Sequence, residues 1–176
     1  MGIGFHLWID EEYARADDLI KNTDMDILLK PVAVVANDRK GLDDDFWGPV
    51  LSKITLLPEF PVNAFDGIDT FSHLEIIFFF DQADPLKALT HGHPRGNKDW
   101  PAVGIFAQRK SNRPNSIGLT IVELVRREGN SIWVKNLDAV DGTPVLDIKP
   151  VMKEFLPLGE IKQPQWSHEL MNNYWK

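Results

Sequence analysis

The sequence predicts a mainly β protein: a small antiparallel β-barrel with a short N-terminal helix and an extended C-terminal tail. Three observations carry that prediction. From Asp26 onward short β-prone runs follow one another, several of them apolar at consecutive positions, as in strands covered on both faces. Turn signals separate these runs at Pro58 and Pro61, Asp66-Gly67, Gly92 to Gly96, Pro114-Asn115 and Glu128-Gly129-Asn130. Before them, apolar residues at helical spacing mark one N-terminal helix.

In chain order, residues 1–26 read as a helical extension. Within "DEEYARADDLIKN" (Asp10–Asn22), and just before it, Ile9, Tyr13, Ala16 and Ile20 fall at roughly helical spacing, with acids near the start where the helix dipole favours them. Residues 27–150 read as the barrel domain, its strands being "ILLKPVAVVAN", "VLSKITLL", "HLEIIFFF", "AVGIFA", "LTIVELVRR" and "SIWVKNL". The last two join as a hairpin in "TIVELVRREGNSIWVKN". In residues 151–176 the apolar side chains thin out to Met152, Phe155, Leu156, Leu158, Ile161, Trp166 and Trp175, so this tail is expected to pack on the barrel or on a partner subunit.

Composition narrows the function classes. The chain has 176 residues, 43% hydrophobic and 26% charged, and no cysteine. It therefore reads as one soluble globular domain without disulfides or thiolate metal sites, in keeping with the cytoplasm. No apolar run approaches the ~18–20 residues of a membrane span; the longest is Ile76–Phe80. The acids of the first 20 residues are unlike a secretory signal. The net charge of −7 hides an asymmetry: residues 1–70 hold 6 Lys/Arg against 14 Asp/Glu, and residues 87–135 hold 9 against 3. Because screening acts over ~8–10 Å, such a basic third can attract a polyanion on an acidic protein.

Familiar site patterns are set aside. "GIGF" at Gly2–Phe5 lacks the third glycine and the preceding strand of a dinucleotide fingerprint, and there is no Walker-type phosphate loop. "HGHP" offers His91 and His93 near Asp81 and Asp84, but no further ligand follows at a diagnostic spacing, so no metal is expected. Ser111 or Ser116 could be combined with His73 and Asp138, but no G-x-S-x-G elbow supports a hydrolase.

Three stretches remain that local structure explains poorly: "DTFSHLEIIFFFDQ", "AQRKSNRPNSIGL" and "LDAVDGTPVLDIKP". In this order they resemble the TrmO family of S-adenosylmethionine-dependent tRNA methyltransferases, over about residues 30 to 150. The resemblance implies a small β-barrel, an active homodimer with the cofactor near the subunit interface, and methyl transfer to the exocyclic nitrogen of threonylcarbamoyl-adenosine beside the anticodon. It places cofactor contacts on "FAQRKSNRPNSIGL", where Arg109 and Leu119 occupy the matching positions and Phe106, Gln108 and Asn115 are further candidate contacts. A second cofactor segment is Asp138, Ala139, Val140, Asp141 and Gly142, and a third contact pair is Asp81 and Gln82.

The residue chemistry suits such a ligand. A carboxylate such as Asp81 or Asp138 can pair with the ammonium or lie near the sulfonium, Arg109 can grip the carboxylate bidentately, and Phe106 and Leu119 can cover the adenine. Asp141 or Asp138 is the candidate general base. Arg95, Lys98, Lys110 and Arg113, from the basic third, are candidate phosphate contacts, with Arg113 equally suited to anchoring the loop. Departures from the family are also visible. Many members carry "RSP" where this chain has Arg109-Lys110-Ser111, and the "PRQ" element after the first strand is missing. In its region, "NDRKGLDDDFWGPVLSKI", Asp45, Phe46 and Trp47 are expected to supply the equivalent wall. Two other classes fit the same residues: a methyltransferase for a small molecule or another RNA, and a non-enzymatic module that binds S-adenosylmethionine.

Overall fold

The computed structural model describes residues 27–176 apart from Ala88; the helix expected at Asp10–Asn22 lies outside the described residues. The strands are β1 (Ala33–Ala36), β2 (Leu51–Leu56), β3 (His73–Phe79), β4 (His91–Gly92), β5 (Val103–Gly104), β6 (Ile117–Glu128), β7 (Ser131–Lys135) and β8 (Pro144–Pro150). Six of them close a barrel in the order β1-β2-β7-β6-β3-β8, and β4 and β5 form a separate two-stranded sheet. Every pairing is antiparallel, and β8 closes the barrel by pairing with both β3 and β1.

Alternation along the strands builds the core. In β3, Leu74, Ile76 and Phe78 point inward; opposite them in register on β6 stand Val122, Thr120 and Gly118. Ile54, Ile132, Val134, Val35, Val145 and Leu137 belong to the same buried cluster, with Ala33, Leu56, Phe65 and Ala139. Each fully buried Leu, Ile or Phe contributes roughly 1.5–3 kcal/mol relative to its exposed state. Gly118 is required by packing, since a Cβ there would lie 2.4 Å from the Phe78 ring.

The predicted hairpin is β6–β7, turned through Gly129 at φ 59° and Asn130. Two elements differ from expectation. "AVGIFA" contributes only the two residues of β5, after which Ile105–Ala107 form a 3₁₀ turn that buries Ile105 and leaves Phe106 exposed. Conversely β8 is a full strand; its prolines at both ends and the charges of Asp147 and Lys149 hide its apolar face in the sequence. After β8 the tail leads to a short helix, α1 (Gln165–Leu170), on which Trp166 packs against Trp100 with ring centroids 6.5 Å apart. Among the described residues no helix is long and apolar enough to cross a membrane.

Candidate functional site

One end of the barrel carries a cleft of about 340 Å³. Four segments supply its walls: 42–47 before β2, 80–87 after β3, 109–112 before β6 and 138–143 before β8; Tyr174 reaches in from the tail. Backbone bonds hold these segments at one level. The Phe80 N–H donates to Ser116 O at 2.8 Å, and the Asp84 N–H donates to the Asn112 side chain at 3.1 Å.

The floor is organised by Asn37, just beyond β1. Its amide donates to Ser52 Oγ and to Ala139 O, each at 2.9 Å, while its backbone N–H donates to Asp141 Oδ1 at 3.2 Å. The 42–47 wall is organised by Arg39, whose guanidinium donates to Asp43 O (2.6 Å), Asp45 O (2.7 Å) and Phe46 O (3.1 Å) and lies 4.0 Å from the Trp47 ring centroid. A planar fork meeting three carbonyls at once is a geometry lysine cannot reproduce. The loop therefore has a fixed shape, and it accommodates Phe46 at φ 65°, a conformation rare for side chains other than glycine.

Asp138 sits at the centre of this arrangement. One carboxylate oxygen accepts the Thr120 hydroxyl from β6 and the other accepts the Tyr174 hydroxyl from the tail. Burial, and then the adjacent Asp138 carboxylate, push the Tyr174 hydroxyl far above its ordinary range, so it stays protonated and remains a donor.

The structure brings together in the cleft Asp81, Gln82, Arg109, Lys110, Asp138, Ala139, Val140 and Trp47. The other residues singled out in the sequence lie elsewhere. Gln108 is buried and spends its amide on Gly92 O and Val103 O, tying β4, β5 and the loop together. Arg113 donates to Gln108 O at 3.1 Å and so anchors the loop. Arg95 is clamped by Asp45 in a two-pronged ion pair at 2.9 and 3.0 Å, with Asp44 alongside at 3.2 Å. Asp141 caps the Asn37 N–H, and Gly142 forms its turn at φ 85°. Phe46, Phe106, Asn115 and Leu119 are exposed outside the cleft lining, and Lys98 is exposed on the surface. His93 is used by Trp100 O at 2.7 Å.

Sequence reasoning missed Tyr174, Phe80 and Thr120. An inward-facing threonine opposite apolar residues of β3 was a signal for Thr120; nothing local marked Tyr174, which meets Asp138 across 36 positions of sequence. Chemically, the lining combines the carboxylates of Asp43, Asp44, Asp81, Asp84 and Asp138 with Lys87, Arg109 and Lys110, beside the apolar surfaces of Trp47, Phe80 and Val140. That donor set suits a ligand with an aromatic base, positive charge and one carboxylate, which are the features of S-adenosylmethionine.

Comparisons with known proteins agree with this chemistry. A model of the tRNA-methyltransferase O N-terminal domain matches residues 45–155. The human tRNA (adenine(37)-N6)-methyltransferase is 34% identical over 113 residues, covering 64% of this chain and 25% of the human protein. A protein of Methanothermobacter thermautotrophicus named "Probable S-adenosyl-L-methionine-binding protein" is 35% identical over 141 residues, 78% of this chain and 98% of that protein. The crystal structure of TrmO from Pseudomonas aeruginosa superposes with a TM-score of 0.62 at 28% identity, covering 78% of this chain and 62% of that one. The chain thus spans about a quarter of the human relative and less than two thirds of the solved one.

Proposed function

Because the chain belongs to the tRNA-methyltransferase O family, we propose that it is an S-adenosylmethionine-dependent methyltransferase acting on tRNA, with the exocyclic nitrogen of threonylcarbamoyl-adenosine beside the anticodon as acceptor. The observation that supports this most is the convergence of three sequence-marked segments, at Asp81-Gln82, Arg109-Lys110 and Asp138–Val140, on one cleft with the matching donor set.

When bound, the cofactor supplies a methyl group activated by a sulfonium. Arg109, whose guanidinium also donates to Leu119 O, would hold the cofactor's carboxylate, Asp81 would pair with its ammonium, and Trp47 and Phe80 would cover the adenine. Fixing donor and acceptor in line supplies much of the rate. Asp138 takes the proton that the acceptor nitrogen releases. That nitrogen is weakly basic because its lone pair is delocalised; as the C–N bond formed and the methyl–sulfur bond broke, releasing adenosylhomocysteine, its proton would become acidic enough for a carboxylate to take. Of the two candidate bases, Asp138 alone lines the cleft, and Asp141 serves the turn.

The RNA contacts are Lys98 and Lys110, neither of which makes an ion pair among the described residues. The protein works as a homodimer in the cytoplasm. Support for the dimer comes from the outer face of β3 and β6, where Phe79, Ile117, Leu119 and Ile121 are between 36% and 43% exposed and adjacent in register.

The test is methyl transfer from labelled S-adenosylmethionine to total tRNA, with nucleoside mass spectrometry. Label on an adenosine, lost with Arg109→Ala and after ribonuclease pretreatment, is the expected result. Transfer that survives ribonuclease points to a small-molecule acceptor, and binding without release of adenosylhomocysteine points to a sensor.

A further inference from the structure

The C-terminal turn lies beyond the residues that the family model matches, yet it reaches the centre of the cleft. After α1 the chain turns through residues 171–175 and lies against the 46–48 segment. The Phe46 N–H donates to Asn173 O at 3.1 Å and the Trp47 N–H donates to Tyr174 O at 2.8 Å. Gly48 makes this approach possible, since a Cβ there would lie 2.1 Å from the Trp175 carbonyl oxygen. The helix before the turn is held in its own right: Trp100 Nε1 donates to Glu169 Oε2 at 2.8 Å. The tail is thus fixed at two places, and its product is the Tyr174 hydroxyl on Asp138.

We propose that Tyr174 is a positioning residue for Asp138 and that the C-terminal turn is a working part of the methyl-transfer site, a reading that rests on assignment of the cleft to S-adenosylmethionine.

The geometry gives the reason. An aspartate on a loop turns freely about its last side-chain torsion unless both oxygens are engaged. Thr120 engages one oxygen from inside the barrel, and Tyr174 engages the other from the tail. Together the two hydroxyls fix the plane of the carboxylate while leaving lone pairs open to the cleft. Burial and the neighbouring Asp138 carboxylate keep the Tyr174 hydroxyl protonated, so it remains a donor. A purely packing role is the competing account, because the Tyr174 ring also meets Trp175 edge to face at 4.9 Å.

Tyr174→Phe keeps the ring and removes only the hydroxyl, so it separates the two accounts. The experiment measures S-adenosylmethionine affinity by calorimetry, and methyl-transfer kcat, for the wild type, Tyr174→Phe, Asp138→Asn and the double variant. Loss of one hydrogen bond to a charged group predicts a reduction of roughly tenfold in kcat or affinity for Tyr174→Phe. In the Asp138→Asn background the same change should add less than about twofold, because coupled residues are non-additive. Gly48→Ala, which displaces the turn through its backbone, should reproduce the loss if Tyr174→Phe folds poorly. Wild-type values for Tyr174→Phe, or an equal loss in both backgrounds, would overturn the positioning role alone. A wild-type protein that takes up no S-adenosylmethionine would overturn the cofactor assignment and this proposal with it.

Discussion

Replacing Gly48 with alanine adds one methyl group at the point where the tail crosses the 46–48 segment. The new Cβ would lie 2.1 Å from the Trp175 carbonyl oxygen and 2.9 Å from its carbon, and both are backbone atoms that cannot rotate aside. Gly48 does not have a positive φ, so alanine itself fits locally and the strain falls on the tail. Residues 173–175 must withdraw by roughly 1 Å or more to restore an ordinary carbon–oxygen contact. Withdrawal breaks the two backbone hydrogen bonds from Phe46 and Trp47, each with a net contribution of about 0.5–1.5 kcal/mol. The expected destabilisation is therefore about 1–3 kcal/mol, or a fall in Tm of roughly 2–12 °C for a domain of this size. The barrel core is untouched, so the Gly48→Ala protein should remain folded, with its tail cut earlier in limited proteolysis. Methyl-transfer kcat or S-adenosylmethionine affinity should fall roughly tenfold as Tyr174 leaves Asp138. Unchanged Tm and affinity would refute the docked tail. A lower Tm with full affinity and full methyl-transfer kcat would refute its part in the cleft.

Gly118→Ala should destabilise the barrel by about 1–3 kcal/mol in urea unfolding, since its Cβ would meet the buried Phe78 ring at 2.4 Å; wild-type stability would contradict the register of β3 on β6. Arg39→Lys should lower S-adenosylmethionine affinity by roughly tenfold, because one ammonium nitrogen cannot stand in both places of the guanidinium nitrogens, one donating to Phe46 O and the other to Asp43 O and Asp45 O; full affinity would show that the 42–47 wall does not depend on that fork. Tyr174 sets an alkaline dependence. Its folded pKa is raised, so its contribution to stability is complete below the ordinary value near 10 and is lost as the unfolded chain releases a proton that the fold retains. Stability should fall with rising pH above about 10 less steeply in Tyr174→Phe than in the wild type, and near-ultraviolet titration up to about pH 11 should give both folded proteins the same tyrosinate signal. A larger signal from the wild type would show that Tyr174 ionises normally.

Much of the barrel was legible because period-two burial and turn residues coincide. In β3 and β6 the inward residues alternate with outward ones, and the Gly129-Asn130 turn fixes the hairpin. β8 was harder, because Asp147 and Lys149 occupy a strand whose inward Val145 and partner contacts are apparent only once the barrel closes. Ile105 and Phe106 look alike in sequence but part in the fold, one buried at 3% exposure and the other 84% exposed, because the chain turns between them. At the site, the segments around Arg109 and Asp138 could be read from motifs. Gln108 could not be separated from its neighbours, since a buried amide that satisfies loop carbonyls and one that meets a ligand look the same in a linear chain. Tyr174 depends on a tail returning across the barrel, a tertiary event with no local signature.

Calorimetric titration of the purified protein with S-adenosylmethionine, repeated with Arg109→Ala and Asp138→Asn, tests the central claim most directly. The account predicts saturable binding by the wild type that both variants weaken. Absence of binding by the wild type, or binding indifferent to both substitutions, would contradict the assignment of this cleft to the methyl donor.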